Sequence, residues 1–321
     1  MRGIAALCVV FYHFNNPYLP YNPDYGHLPM LFGWGRFGVQ IFFAISGFVI
    51  CMTLERMNSV ASFAKARFRR LFPTYWAAMI VTITVVGLAG PEKLMVNPQQ
   101  ALFNTTMLHY WFDVKGVDGS YWTLSIELSF YLVMAVLLRF GLLARLELVL
   151  LGWLTLHVLQ TDSQLFSGTA ARIMALDHIP FFAIGMIHYR YYRGLINGRH
   201  TAIWYLVLMA IATLTGWWAV ILTALIIGIF SAMTSGFLRF LTHPVLLWLG
   251  AISYPLYLIH QYIAYVLIDR MAGAGVPLFG AMLITLPIVV ALGHFLHISV
   301  EQPAQRLFRN VGKRPQLVPA E

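Results

Sequence analysis

Met1-Arg2-Gly3-Ile4-Ala5-Ala6-Leu7-Cys8-Val9-Val10-Phe11-Tyr12-His13-Phe14 opens the chain. The stretch is apolar apart from Arg2 and His13. Read as a helix rising about 1.5 Å per residue, it separates these two by roughly 16 Å, about half a hydrocarbon thickness of about 30 Å. The spacing is close to three turns, so both side chains fall on nearly one face. With Arg2 at one interface, His13 lies near the bilayer midplane. Ionisable groups at that depth are costly and point to function. A lone imidazole packed neutral among helices is nevertheless the commoner case.

The rest of the chain supports the membrane setting. Of 321 residues, 60% are hydrophobic and 10% charged, with mean hydropathy +0.73. A soluble domain carries about 25% charged residues. The first helix is not expected to be a cleaved signal peptide, because Asn15-Asn16-Pro17-Tyr18 follows it where small residues are needed. Cys8 and Cys51 both sit in apolar segments and read as fillers. The net charge of +9 does not indicate nucleic acid, because the basic residues cluster beside the apolar segments.

Ten apolar segments are expected, near 1–19, 37–54, 73–90, 120–138, 146–160, 171–188, 201–215, 217–235, 245–267 and 277–298. Segment 101–111 is too short to span and reads as interfacial, helped by Tyr110 and Trp111. With a cytoplasmic N-terminus, sixteen of the 21 Lys and Arg residues fall on the inside. Only Arg36, Lys93, Lys115 and Arg270 fall outside, and Arg172 lies at a helix edge. The positive-inside rule therefore predicts an all-α polytopic bundle of about ten spans with both termini cytoplasmic. One membrane domain over 1–303 and a short basic cytoplasmic tail over 304–321 are expected.

Several stretches carry candidate chemistry. Arg67 and Arg70, in Ala66-Arg67-Phe68-Arg69-Arg70 ahead of Pro73-Tyr75-Trp76, share a helix face and suit an anionic group such as phosphate. From charge alone they also suit lipid headgroups. Glu127, in Trp122-Thr123-Leu124-Ser125-Ile126-Glu127, is one of very few acids inside a span. Ser46 and Gly47, in Phe42-Phe43-Ala44-Ile45-Ser46-Gly47-Phe48, suit close approach of another helix. Asp177 and His178 are adjacent, so a helix would turn them about 100° apart, away from a common face. Tyr257 and His260, in Gly250-Ala251-Ile252-Ser253-Tyr254-Pro255-Leu256-Tyr257-Leu258-Ile259-His260, share a face around Pro255, where a kink is expected. The 15–36 loop is rich in Asn, Pro, Tyr and Gly, which fits either sugar contact or ordinary turns. His294 and His297 read as interfacial, and Glu301-Gln302-Pro303 as the end of the last helix.

Taken together, the Arg2-x10-His13 helix, the Phe-Phe…Ser-Gly-Phe segment, Arg67-x-x-Arg70, the Glu127 segment, the Ser253-Tyr254…His260 string and Glu301-Gln302-Pro303 resemble acyltransferase family 3. The resemblance covers about residues 1 to 303, a membrane domain alone. In that family a short polar segment with an acidic residue usually precedes the Arg, and here the sequence starts at Met1. The resemblance implies an integral enzyme of the bacterial inner membrane that moves an acyl group, most simply acetyl, from acyl-CoA to a hydroxyl. No tightly bound cofactor is implied, and acyl-CoA is a substrate. The partners expected are acyl-CoA, a glycan or lipid-linked sugar, and the bilayer, with no nucleic acid.

On this reading His13 acts as general base or nucleophile, with Glu127 bonded to it and steadying its charge. Arg2, Arg67 and Arg70 hold the donor phosphates. Asn15, Tyr257, His260, Asp177 and His178 are acceptor or pocket candidates, and Tyr257, Ser125 and Asn15 are candidate oxyanion donors. No His-Glu-x-x-His or cysteine cluster suggests a metal. A small secondary metabolite is an alternative acceptor. A proton-coupled transporter is the alternative class, with buried His, Glu and Asp as a relay, though no internal repeat is evident.

Overall fold

Apolar runs with few breakers give helices throughout, and a computed structural model describes residues 1–15, 32–57 and 59–307. No strand occurs among them. The helices are α1 (Arg2–Asn15), α2 (Gly38–Leu54), α3 (Val60–Ala89), α4 (Pro98–Asn104), α5 (Trp122–Arg139), α6 (Leu146–Ser163) and α7 (Gly168–Ile173). They continue with α8 (Ile179–Tyr192), α9 (Gly198–Thr215), α10 (Trp217–Thr234), α11 (Pro244–Ile259), α12 (Tyr262–Gly273), α13 (Leu278–Leu296) and α14 (Gln302–Leu307). A π-turn, His297–Glu301, joins α13 to α14.

Six helical stretches are long and apolar enough to cross a membrane, and α11 with α12 makes a seventh if taken as one bent span. The protein is a multi-pass integral membrane protein. The ten expected segments all carry helix, and six or seven of the resulting stretches are long and apolar enough to span by themselves. α1 and α8 are 14 residues each, and α9 opens with Arg199 and His200.

The ion pairs sort the ends of the helices into two faces. On the face that carries most basic residues, Glu55 pairs with Arg193 at 3.1 Å, Glu147 with Arg190 at 2.5 Å, and Arg70 with Glu301. On the opposite face Arg172 pairs with Asp113 at 2.5 Å, and Arg270 donates to the Ala89 carbonyl at 2.8 Å.

Three expected segments are corrected. The third helix begins at Val60, not near 73, because Ser59 caps it by accepting from the Ser62 N–H at 3.2 Å, and Pro73 lies inside. Segment 171–188 is interrupted: Ala175 takes a left-handed φ of 51°, and Pro180 then starts α8, where its missing N–H costs nothing. Segment 245–267 breaks at His260 and Gln261, after the expected Pro255 kink, and the two halves meet at 71°. Segment 101–111 forms the short α4 and a 3-10 turn, His109–Phe112, as an interfacial piece should.

The tightest helix contact is α2 against α8. A Cβ on Gly47 would lie 2.2 Å from the Phe182 carbonyl oxygen, and one on Gly185 would lie 1.8 Å from that of Ala44. Only hydrogen fits at either point, so two glycines on facing helices set how near the backbones come. This contact holds α2, and with it Phe42, Phe43 and Ser46, against the site described next.

Candidate active site

α1 packs against α2 and α11, and its two polar residues open into different cavities. Arg2 lines an inner slot of about 80 Å³ together with Arg67, Arg70, Glu127, Tyr131 and Ser46. His13 lines an outer cavity of about 530 Å³ with Tyr12, Arg36, Gln40, Trp122 and Trp218. Val39 and Tyr257 line both and form the shared wall. Arg2 and His13, roughly three turns apart on α1, thus open on opposite sides of that wall.

The inner slot gathers three guanidiniums. Arg67 lies 5.7 Å from the Phe63 and Tyr131 ring centres, and its Nε is buried with no partner. Arg70 lies 5.4 Å from the Tyr254 ring centre and pairs with Glu301, which is 1% exposed. Glu301 also accepts from His297 Nδ1 at 2.6 Å and Gln305 Nε2 at 3.2 Å. It is therefore a partner of the cationic slot as well as the end of a helix. At about 80 Å³ the slot takes a thin unbranched chain.

Glu127 belongs to this slot. It accepts from Ser46 Oγ at 3.2 Å and from the Tyr131 hydroxyl. The expected bond to His13 is not formed: His13 Nδ1 is 3.4 Å from the Tyr265 hydroxyl, and its ring lies 5.1 Å from that of His260. The reason is lateral. α5 turns Glu127 toward α2 and α3, while α1 turns His13 toward the break between α11 and α12.

That break positions His260. Its Nδ1–H donates to the Tyr257 carbonyl at 2.7 Å. A carbonyl only accepts, so the neutral ring presents Nε2 as a lone pair. This Nε2 is buried without a partner. The Tyr257 hydroxyl is 3.0 Å from Thr123 Oγ1 and 3.4 Å from the Ser120 carbonyl. Asp118, which the sequence reading passes over, holds the break in place. It accepts from Tyr262 N–H at 2.9 Å, satisfying an orphan donor of α12. It also accepts from Ser120 N–H at 2.9 Å and Ser120 Oγ at 2.7 Å. Burial pushes its carboxyl up to about 6. The Asp-x-Ser turn is visible in the sequence; the distant Tyr262 is not.

The remaining candidates are dispersed. His178 packs between Phe43 and Trp122, with ring centres 5.0 and 5.5 Å away. Asp177 lines a third cavity on the same side as His13. Ser125 is committed to the Met107 carbonyl at 2.5 Å and reaches neither cavity around α1. Asn15 ends α1, but its side chain lies outside the described residues, as do residues 16–31 of the Tyr- and Asn-rich loop.

A helical bundle with a cationic slot and a polar outer cavity, sharing one wall, defines a membrane protein with an internal site. Residues 1–295 match the acyltransferase domain of acyltransferase family 3. The chain belongs to that family, and its apolar helices make it a multi-pass membrane member of it. It is similar to O-acetyltransferase OatA of Staphylococcus aureus (strain NCTC 8325 / PS 47), 24% identical over 206 residues, which is 55% of this chain and 32% of that protein. It is also similar to Peptidoglycan O-acetyltransferase OatA of Listeria monocytogenes, 28% identical over 211 residues, 55% of this chain and 31% of that protein. Nodulation protein 10 of Rhizobium leguminosarum bv. viciae is 33% identical over 124 residues, 32% of this chain and 33% of that protein. The chain thus spans about a third of the length of these relatives. No solved structure matches it.

Proposed function

We propose that the protein is an O-acyltransferase that moves an acyl group, most simply acetyl, from cytoplasmic acyl-CoA to a hydroxyl of a carbohydrate on the far side of the membrane. The observation that carries this reading is α1 itself, with Arg2 in the inner slot, His13 in the outer cavity, and only Val39 and Tyr257 between. The ten helical segments are read as ten passes with both termini cytoplasmic, in the bacterial cytoplasmic membrane. The names of the OatA relatives, an O-acetyltransferase and a peptidoglycan O-acetyltransferase, support acetyl as the group and a glycan as acceptor.

Arg2, Arg67 and Arg70 hold the donor phosphates at the mouth of the slot, where forked guanidiniums match phosphate oxygens. The thin arm of the donor runs up the slot and brings the thioester to the Tyr257 wall. The acceptor oxygen attacks the thioester carbonyl carbon, and His13 takes the hydroxyl proton. The C–S bond breaks, and the proton passes from His13 to the departing thiolate. In the covalent variant a His13 nitrogen displaces the thiol first, and the hydroxyl then displaces His13. His260 steadies the charged ring, because its lone pair can accept an N–H from it.

Transfer from radiolabelled acetyl-CoA in membranes containing the chain tests this. His13→Ala is expected to abolish label in glycan. Arg67→Ala is expected to raise the acetyl-CoA KM about tenfold with kcat within about twofold. Undiminished transfer by His13→Ala would remove His13 from the chemistry and turn attention to proton-coupled flux.

A further inference from the structure

The third cavity, about 480 Å³, opens among α6, α8, α9 and α10 on the same side as His13. Trp218 lines it and also lines the His13 cavity. The indole is held by stacking on Phe37, with ring centres 5.7 Å apart and planes 12° apart, and Phe37 faces the His13 cavity too. One rigid aromatic wall therefore joins the two spaces.

The lining specifies the ligand. Its described residues include no Lys or Arg, and Asp177 is the only acidic side chain among them. A phosphate or carboxylate would meet repulsion without a counter-charge, whereas a neutral hydroxyl can donate to Asp177. His157 lines the cavity, is 5% exposed, and its Nδ1 has no hydrogen-bond partner. A buried polar atom left in this way is destabilising unless a ligand group or water satisfies it. Trp218 and Phe181 supply apolar walls, while Thr161 and Thr223 supply hydroxyls. A ring with apolar faces and a polar edge fits that mixture, and the volume lies within the range of small-molecule sites, about 300–1,000 Å³.

We propose that this cavity is a distal acceptor subsite, binding a neutral sugar residue of the same chain whose hydroxyl reacts at His13. The proposal rests on the carbohydrate-acceptor reading above. It makes the protein a selector of oligosaccharides over single sugars, with Asp177 and His157 as specificity residues that do not touch the reacting atoms.

The test compares acetyl transfer to N-acetylglucosamine and to its β-1,4-linked tetramer. The wild-type protein is expected to show a lower KM for the tetramer than for the monosaccharide. Asp177→Asn and, separately, His157→Gln are expected to shrink that advantage about tenfold. Binding of the tetramer to a His13→Ala protein, measured by calorimetry with and without Asp177→Asn, gives a readout independent of turnover. Equal KM values for both sugars in the wild type would overturn the subsite alone. A wild type that accepts neither sugar would overturn the carbohydrate reading, and the subsite with it. Saturable binding of short-chain phosphatidylethanolamine that displaces the tetramer and is lost in Asp177→Asn would assign the cavity to lipid and also overturn the proposal.

Discussion

Asp118→Asn is the substitution whose outcome the geometry fixes most closely. The carboxylate has three accepted hydrogen bonds, two from Ser120 and one from Tyr262 N–H at 2.9 Å. It is 1% exposed, and no cation is among its partners. Its rise from 3.8 to about 6 corresponds to about 3 kcal/mol. The sign follows from proton counting. Between the two values the folded protein binds more protons than the unfolded chain, so stability falls as pH rises from about 4 to about 6 and is flat beyond.

Asparagine removes that slope. It also turns an amide N–H₂ toward Tyr262 N–H, or else toward Ser120, and loses a bond worth about 1–3 kcal/mol. At pH 7 the relief of a buried charge and the lost bond nearly cancel. Below pH 4 only the loss remains, so the variant should be less stable than wild type by about 1–3 kcal/mol. Thermal unfolding in detergent from pH 3 to pH 8 reads both curves. Acyl transfer at pH 7 should fall even where stability does not, because α12 loses the contact that holds its first turn beside His260. Parallel pH curves for the two proteins, or full transfer by the variant, would refute the reasoning.

Two further outcomes concern packing and the cationic slot. Gly185→Ala should cost about 3 kcal/mol, because its Cβ would lie 1.8 Å from the Ala44 carbonyl oxygen and both backbones would have to part. Gly152→Ala, with nothing within 4 Å, should instead be neutral or stabilising by up to about 1 kcal/mol. Equal detergent stability of the two variants would contradict the close approach of α2 and α8. Glu301→Gln and Arg70→Gln, combined in a double-mutant cycle, should show a coupling of about 1–3 kcal/mol, below that of a fully buried pair because Arg70 is 28% exposed. Additive losses would mean that the pair does not hold the slot.

What could be read from the sequence is what depends on distance along a helix. A fixed rise per residue gives depth, so Arg2 and His13 could be assigned to two levels of one helix, and Arg67 and Arg70 to one face. Residue chemistry likewise marked 101–111 as too short to span, and α4 and its 3-10 turn occupy it. The direction a side chain takes sideways is not written in its own helix. Glu127 looked like a partner for His13 because both are ionisable and inside spans, yet α5 packs so that Glu127 meets Ser46 and Tyr131.

The helix breaks show the same limit more sharply. Pro255 is a visible kink signal, but α11 runs through it and ends four residues later, at Ile259. The stop comes from outside the segment. Asp118 offers the α12 N-terminus an acceptor in place of the carbonyl that a continuous helix would supply. Within the first 120 residues Asp118 is one polar residue in a Gly-Val-Asp-Gly-Ser turn. Its meaning depends on Tyr262, 144 positions away, and on α5 carrying the turn to that point. Glu301 depends in the same way on Arg70, 231 positions away. The polar residues that shape this site therefore act between helices, and a one-helix reading finds the chemistry but not the framework that aims it.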